Sequence, residues 1–277
     1  MRTKKIVQRT LLYITLIGVA FVMLYPFAWM VSASLKYDKD IFIYPMKWLP
    51  KSIDSVLYNY KTIFTKISYG LFYLNTTKLT LIITFIQVLT SSLAAYSFSR
   101  MQYKWRDKIF LLYLATLMVP WHAIMIPQFV IIKSMGLYDN HLSLILLQSF
   151  SAFGVFLLRQ YMLSIPKELD EAARIDGCGH LRIYWQIIMP LSKPGIATLI
   201  ILTFNSVWND YMAPMLYLES KSNLTVQLGL SYFKTQYSMQ YGLTMAATVC
   251  SIIPIIIVYI FAQKYIIDGI AHSGLKG

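Results

Sequence analysis

The sequence predicts an all-α membrane protein: one domain of six spanning helices with both termini on the cytoplasmic side. Three observations predict it. Apolar residues make up 57% of the chain and charged residues only 13%, about half the charge of an ordinary soluble domain. The apolar residues gather in runs, each long enough to cross about 30 Å of hydrocarbon as a helix. Lys and Arg concentrate in alternate connecting segments, the pattern that fixes which side faces the cytoplasm.

The first run, 11–35, follows Arg2, Lys4, Lys5 and Arg9. A basic start before an apolar stretch also fits a signal peptide, with Ser32-Ala33-Ser34 as small residues for cleavage. The run is longer than such a core needs, so an uncleaved span is expected. Residues 36–69 read as an external loop, with Trp48, Tyr58 and Tyr60 as interfacial anchors. The second span, 71–98, carries Thr76, Thr80, Thr84, Ser91 and Ser92, small hydroxyls that favour helix–helix contact in lipid. Gln87 lies among them, to line a polar path or to bond a neighbouring helix.

Arg100, Lys104, Arg106 and Lys108 form a short basic loop. The third span, 109–132, is interrupted by Pro120 and Pro127, with His122 between them as a hydrogen-bonding group at a kink. After a short loop comes the fourth span, 142–163, holding Gln148, Ser149, Ser151 and Gly154. The fifth, 195–216, contains Asn205, Trp208, Asn209 and Asp210. A carboxylate inside a span is costly. Asp210 lies about 22 Å along the helix from Gly195, where it reaches water, caps a broken helix or serves a site. An external loop, 219–240, precedes the sixth span, 241–267, kinked at Pro254, and a Gly-rich tail, 268–277.

Residues 164–194 form a charged island between the fourth and fifth spans. Ser164 is placed to cap a helix, with Pro166 in its first turn. Glu168, Asp170 and Glu171 stand where the helix dipole favours carboxylates, and Arg174 where it favours cations. Leu169, Ala172, Ala173 and Asp176 share one face by helical spacing. Gly177 and Gly179 supply the stop. The expectation is a helix of about three turns, roughly 15 Å long. It either docks in a groove on another protein or lies solvated on the membrane surface.

Composition excludes several function classes. The net charge of +13 sits at the ends of apolar runs, not in a basic stripe interleaved with stacking aromatics, so no nucleic-acid partner is expected. Cys178 and Cys250 are too scattered for a disulfide framework or a metal site. The nearest approach to a phosphate-binding loop runs from Gly269 to Gly274-Leu275-Lys276. It lacks the Gly-Lys step and the hydroxyl that hold phosphate, so no ATP-binding site or catalytic residue is expected. An integral-membrane transferase, or a channel or scaffold subunit without ATP coupling, stands as the different-class alternative.

The order of residues in the charged island carries more. Glu171-Ala172-Ala173-x-x-Asp176-Gly177, then nine residues to Ile187, then Met189-Pro190-x-x-x-Pro194, resembles the EAA loop of ATP-binding-cassette importer permeases, the binding-protein-dependent type. Met189 stands where the pattern usually has Leu, and Cys178-Gly179 follow the Asp-Gly step. Asn59-Tyr60 resembles a recurrent feature of the same permeases, and the stretch Trp208 to Tyr211 and the tail Gly274-Leu275-Lys276-Gly277 resemble features of their carbohydrate, maltose-type branch. The resemblance covers essentially the whole chain and implies the type I importer permease fold in a bacterial cell membrane. It implies a heterodimer with a second permease, two cytoplasmic ATPase subunits that bind ATP and Mg, and an external solute-binding protein. The cargo it implies is a sugar or oligosaccharide, with another small solute as the alternative. Glu171, Ala172, Ala173, Asp176, Gly177, Pro190 and Pro194 would couple to the ATPase, with the tail docking beside them. Gln87, Asn205, Trp208, Asn209 and Asp210 would line the substrate path.

Overall fold

A computed structural model describes residues 2–236 and 240–274, and among them all regular structure is helical. The chain divides into two compact units, 1–71 with 229–253 and 72–228 with 254–277.

The first unit contains α1 (Arg2–Ser34), α2 (Asp38–Ile41) and α3 (Ile53–Thr65). Helix α1 is apolar; residues 5–28 are exposed, while Ser32, Ala33 and Ser34 at its end are buried. Its last carbonyls have no helical partner, and α3 supplies them. The Asn59 amide donates to the carbonyls of Ser34 and Lys36 at 2.9 and 2.8 Å, and the Ser55 hydroxyl donates to Leu35 at 2.6 Å. The Asn59-Tyr60 pair therefore acts mechanically. Asn59 caps α1, while the Tyr60 hydroxyl meets that of Ser34 at 3.0 Å. Gly242 is needed beside this cap, because a Cβ there would lie 2.7 Å from the Lys36 carbonyl.

The second unit begins within α4 (Tyr69–Arg100) and continues through α5 (Arg106–Ala115), α6 (Trp121–Ser134), α7 (His141–Gln148), α8 (Ala152–Leu163), α9 (Glu168–Ile175) and α10 (His180–Ile183). A π-helical turn (Tyr184–Ile188) leads to α11 (Met189–Leu191), α12 (Lys193–Trp208) and α13 (Met212–Tyr217). Helix α14 (Val226–Gln236) begins here at its first residues, and α15 (Tyr241–Gly274) carries the last apolar run.

Three helices are unbroken and long enough to span: Lys5–Ser34, Tyr69–Arg100 and Tyr241–Phe261. The other three expected spans are broken. Residues 109–132 become α5 and α6, which meet at 96°. Pro120 is the cause: it forces Val119 into extended backbone (φ −82°, ψ 112°) and starts α6. Pro127 lies inside α6 without ending it. Residues 142–163 become α7 and α8, at 40°. The break falls at Ser149–Ser151, where the Ser151 hydroxyl accepts the Gly154 amide at 3.0 Å and caps α8. The expected span 195–216 ends its first helix at Trp208, and a short α13 resumes at Met212. On the other side of Ser192, the helical stretch from His180 to Leu191 meets α12 at 78°. Helix α15 runs through Pro254 to Gly274, so the expected tail begins as helix.

Close helix contact in this unit rests on small residues. A Cβ at Gly154 would lie 2.6 Å from the Ser91 hydroxyl and 3.2 Å from Leu199, and one at Gly195 would lie 2.8 Å from the Tyr161 ring. A separate knot ties the loop after α6 to the one after α13. The Asp139 carboxylate accepts the amides of Glu219 and Ser220, both at 2.9 Å, and the Ser220 hydroxyl. Burial pushes the Asp139 carboxyl upward, but these donors and Asn223 outweigh it and hold the group well below the usual carboxylate range.

Two outcomes are expected. Gly154→Val forces α8 away from α4 and lowers stability by about 1–3 kcal/mol, read as a fall in melting temperature in detergent. Asp139→Ala lowers stability at neutral pH. Because the folded pKa is depressed, that deficit is full above the unfolded value near ~3.9 and narrows as the pH falls below it. A deficit that stays constant down the titration would contradict the assignment.

Candidate functional site

Helix α9 is eight residues long, about 12 Å, and shorter than the expected three turns. Ser164 does not cap it. Its hydroxyl turns back to the Tyr161 carbonyl at the end of α8, and Lys167 stands at the N-terminal boundary of α9 without a side-chain cap. The stop is as expected. Gly177 has φ +80°, its amide donates to the Arg174 carbonyl, and the Cys178 amide reaches back to Ala173 at 2.9 Å. This is the Schellman arrangement, with Cys178 and Ala173 in one apolar cluster.

The face of Leu169, Ala172, Ala173 and Asp176, which the helical spacing offers for docking, is exposed at all but one position, and only Ala173 faces inward. The other inward residue is Asp170, 7% exposed. Arg100, the last residue of α4, is the reason. Its guanidinium donates to Asp170 Oδ2 at 3.1 Å and to the carbonyls of Met162 and Ile165 at 2.5 and 2.8 Å. One buried cation thus holds the end of α4, the end of α8 and the start of α9 together. Counting apolar residues misses this, because it scores an aspartate as outward.

The outward side of α9 carries Glu168, Leu169, Glu171, Ala172, Ile175 and Asp176. Ile175 is 87% exposed, and Leu181 and Trp185 nearby in the chain are exposed too. Along one side of the helix lies a cavity of about 250 Å3, lined by Arg100, Arg106, Lys167 and Arg174 together with Asp170 and the exposed Glu171. Pro190 and Pro194 frame the bend between α11 and α12, each at a helix start where no amide is missed. Gly274 ends α15. Leu275, Lys276 and Gly277 lie outside the described residues.

A second cavity of about 600 Å3 occupies the same unit. Three breaks in the chain after α4 border it: Trp121 and His122 at the first, Phe150 and Ser151 at the second, Asp210 and Met212 at the third. Irregular backbone at membrane depth is tolerated where protein or a wet cavity satisfies it, and here side chains do so. Asp210 Oδ1 accepts the Ala213 amide at 3.2 Å and caps α13, while Oδ2 accepts the Gln148 amide at 2.6 Å. Gln128 Oε1 accepts from the Trp121 indole at 3.0 Å and the Tyr217 hydroxyl at 3.1 Å. No Lys or Arg is among the described residues that line this cavity.

Of the expected path residues, Gln87 and Asp210 line the cavity; Asn205, Trp208 and Asn209 do not. Trp208 is 1% exposed, stacked on Phe204 at 5.7 Å and edge-on to Tyr73 at 5.4 Å. It is a core residue, not a platform for a ligand. Asn209 bonds the Asn205 side chain at 3.0 Å on an exposed face. His122, Gln128 and Ser206 also line the cavity, beyond the expected set. Only the prolines flanking His122 hint in the sequence that its segment borders an opening.

Residues 87–272 match the family model described as binding-protein-dependent transport system inner membrane component. The chain is 32% identical to the arabinooligosaccharides transport system permease protein AraQ of Halalkalibacterium halodurans, over 94% of this chain and 93% of that one. It is 33% identical to a probable starch degradation products transport system permease protein, AmyC of Thermoanaerobacterium thermosulfurigenes, over 98% of each. Among solved structures, a chain of a bacterial ABC transporter involved in the import of the acidic polysaccharide alginate superposes with a TM-score of 0.82. Its identity is 28%, covering 96% of this chain and 98% of that one.

Trp208→Ala is expected to cost about 3–5 kcal/mol of stability as a core truncation, and Gln148→Leu about 1–3 kcal/mol by stranding an Asp210 oxygen. Denaturation in detergent measures both. A Trp208→Ala chain as stable as the parent would return that ring to the ligand-binding candidates.

Proposed function

The chain belongs to the binding-protein-dependent transport system inner membrane components, and from that premise we propose how it works: as one of two permeases in an ATP-driven sugar importer. The observation that carries this reading is α9, a short acidic helix whose rotation is fixed from behind by Arg100 while its outer side stands free. Such a helix seats in a groove of another protein.

In this reading six spans place both termini and the segment 164–194 in the cytoplasm, in line with the Lys and Arg distribution. The bent pairs α5 with α6 and α7 with α8 each count as one span, and α12 with α13 supplies the fifth. Two ATPase subunits bind ATP and Mg and receive α9, and a second permease completes the membrane path. A solute-binding protein delivers cargo from outside; this is supported by the family description, which calls the transport system binding-protein-dependent. Glu171 pairs with a cation in the ATPase groove; Leu169, Ala172 and Ile175 fill its apolar floor. Gly177 lets the chain leave the groove, and the tail at Gly274 to Gly277 docks beside it.

ATP favours the closed ATPase pair over the open one, and only that difference can drive the spans. Rigid-body motion then turns the 600 Å3 cavity from one side of the membrane to the other. Cargo meets Gln87, His122, Gln128 and Ser206 for hydrogen bonding, and Trp121, Phe150 and Phe153 as apolar walls. A lining of amides, hydroxyls and rings suits sugar hydroxyls and faces. Without Lys or Arg it suits a neutral oligosaccharide better than a polyanion such as the alginate carried by the relative of solved structure.

The test is reconstitution of the chain with its second permease, ATPase pair and binding protein in proteoliposomes. ATP-dependent uptake of neutral arabino- or malto-oligosaccharides is expected, and Glu171→Ala is expected to weaken ATPase association about tenfold, equal to 1.4 kcal/mol. A chain that captures no ATPase, or an unaltered Glu171→Ala complex, would sink the coupling role.

A further inference from the structure

Helix α4 carries three residues at intervals of four, Ser92, Tyr96 and Arg100, and so on one face. All three meet the segment around α9. The Ser92 hydroxyl lies 2.7 Å from the Tyr184 hydroxyl. The Tyr96 ring packs edge-on against Tyr184 at 5.4 Å, and its hydroxyl lies 3.4 Å from His180 Nδ1. Arg100 closes the row with its bond to Asp170. Between these polar contacts the same helix contributes Ala95 and Tyr96 to the apolar cluster that holds Ala173, Ile183 and Ile188. The opposite end of this stretch reaches the large cavity at Gln87, about 20 Å from Arg100 at the helical rise. No proline interrupts α4, so nothing in it serves as a hinge.

Resting on the importer reading above, we propose that the Ser92–Tyr96–Arg100 stripe carries movement of the docking helix into α4 and thence to the cavity, with Arg100 as the positioning residue. The ion pair suits that role because it is buried at both ends: the side chains are 2% and 10% exposed. A pair in that setting holds its geometry, since separating it leaves a bare charge without water. It also binds two carbonyls of the α8 end, so α8 and α4 receive the same displacement. Arg100 Nε and Asp170 Oδ1 take no partner among the described residues, so the pair has spare bonding capacity for a second arrangement when α9 tilts. A buried contact able to close in a second way is what a switching element requires.

The experiment uses the full complex in proteoliposomes, in a Cys178→Ala, Cys250→Ala background, with Gln87→Cys as a reporter of cavity access. In the parent, trapping the ATPase pair with ATP and vanadate changes the labelling rate of the introduced thiol. In Asp170→Asn the amide oxygen still accepts from Arg100 and keeps the rotation of α9, so the ATPase subunits still co-purify and hydrolysis stays within about twofold. Sugar moved per ATP falls about tenfold, and the labelling change disappears. Arg100→Lys, which keeps the charge, recovers part of what Arg100→Gln loses. If Arg100→Gln fails to insert, Ser92→Ala with Tyr96→Phe tests the same stripe. Unchanged transport per ATP with unchanged labelling overturns the proposal. So does a loss of uptake that merely follows lost ATPase binding, which would make Arg100 a structural clamp and no more. A parent complex without bound ATPase overturns the importer reading itself, and is distinguished by the co-purification step.

Discussion

Inside a bilayer a backbone amide or carbonyl released from a helix has no water to bond, and the second unit of this chain is arranged around that constraint. Its spanning segments bend sharply, and each bend frees groups that must be paired locally. Ser151 takes the amide at the start of α8, and Asp210 takes one at the start of α13. Thr90 donates to the Ser149 carbonyl across the second break at 2.8 Å. Arg100 satisfies two carbonyls at the end of α8 and an aspartate besides. The polar residues of the apolar runs are the means by which the runs can be broken. Because the breaks lie together, the cavity they border is lined with side chains whose first duty is to the backbone.

The same economy shapes the end of this unit that carries α9. Arg100 sets the rotation of α9 with one charge, and Gly177 ends the helix by backbone geometry. The side chains on the outer face make neither contact. Two cavities, one beside α9 and one at the helix breaks, are joined along α4 by a single row of contacts. The importer reading gains physical content from this arrangement: the exposed face of α9, the helix behind it and an opening at its far end belong to one packed unit.

Much of this is legible in the sequence, and the failures have identifiable causes. The unbroken helices at 2–34, 69–100 and 241–274 follow from apolar length. The break at Pro120 follows from proline's effect on the residue before it. The breaks at Ser149–Ser151 and Asn209–Tyr211 are hidden, because serine, asparagine and tyrosine are tolerated within helices and betray an end only through their partners. Helix α9 is visible from its charges and glycine, but its start and the burial of Asp170 are not. Ser164 has the chemistry of an N-cap and instead serves the helix before it. Asp170 reads as solvated and is buried, since its partner, Arg100, lies seventy positions away in sequence. Trp208 shares a motif with polar neighbours but packs against Phe204 and Tyr73. A local pattern cannot show which side of a helix meets the core when both sides carry rings and amides.

The Schellman turn at Gly177 has a bearing on how such importers diversify. Its bonds run from the backbone amides of Gly177 and Cys178 to the carbonyls of Arg174 and Ala173, and its one apolar contact uses residues on the inner side. The fold asks nothing of the identities at Glu168, Leu169, Glu171, Ala172 and Ile175 beyond compatibility with a helix. These positions form a rewritable address. Under the proposed docking of α9, partner choice among ATPases can drift, be shared or be exchanged between systems by surface substitution alone, while the membrane-embedded body stays as it is.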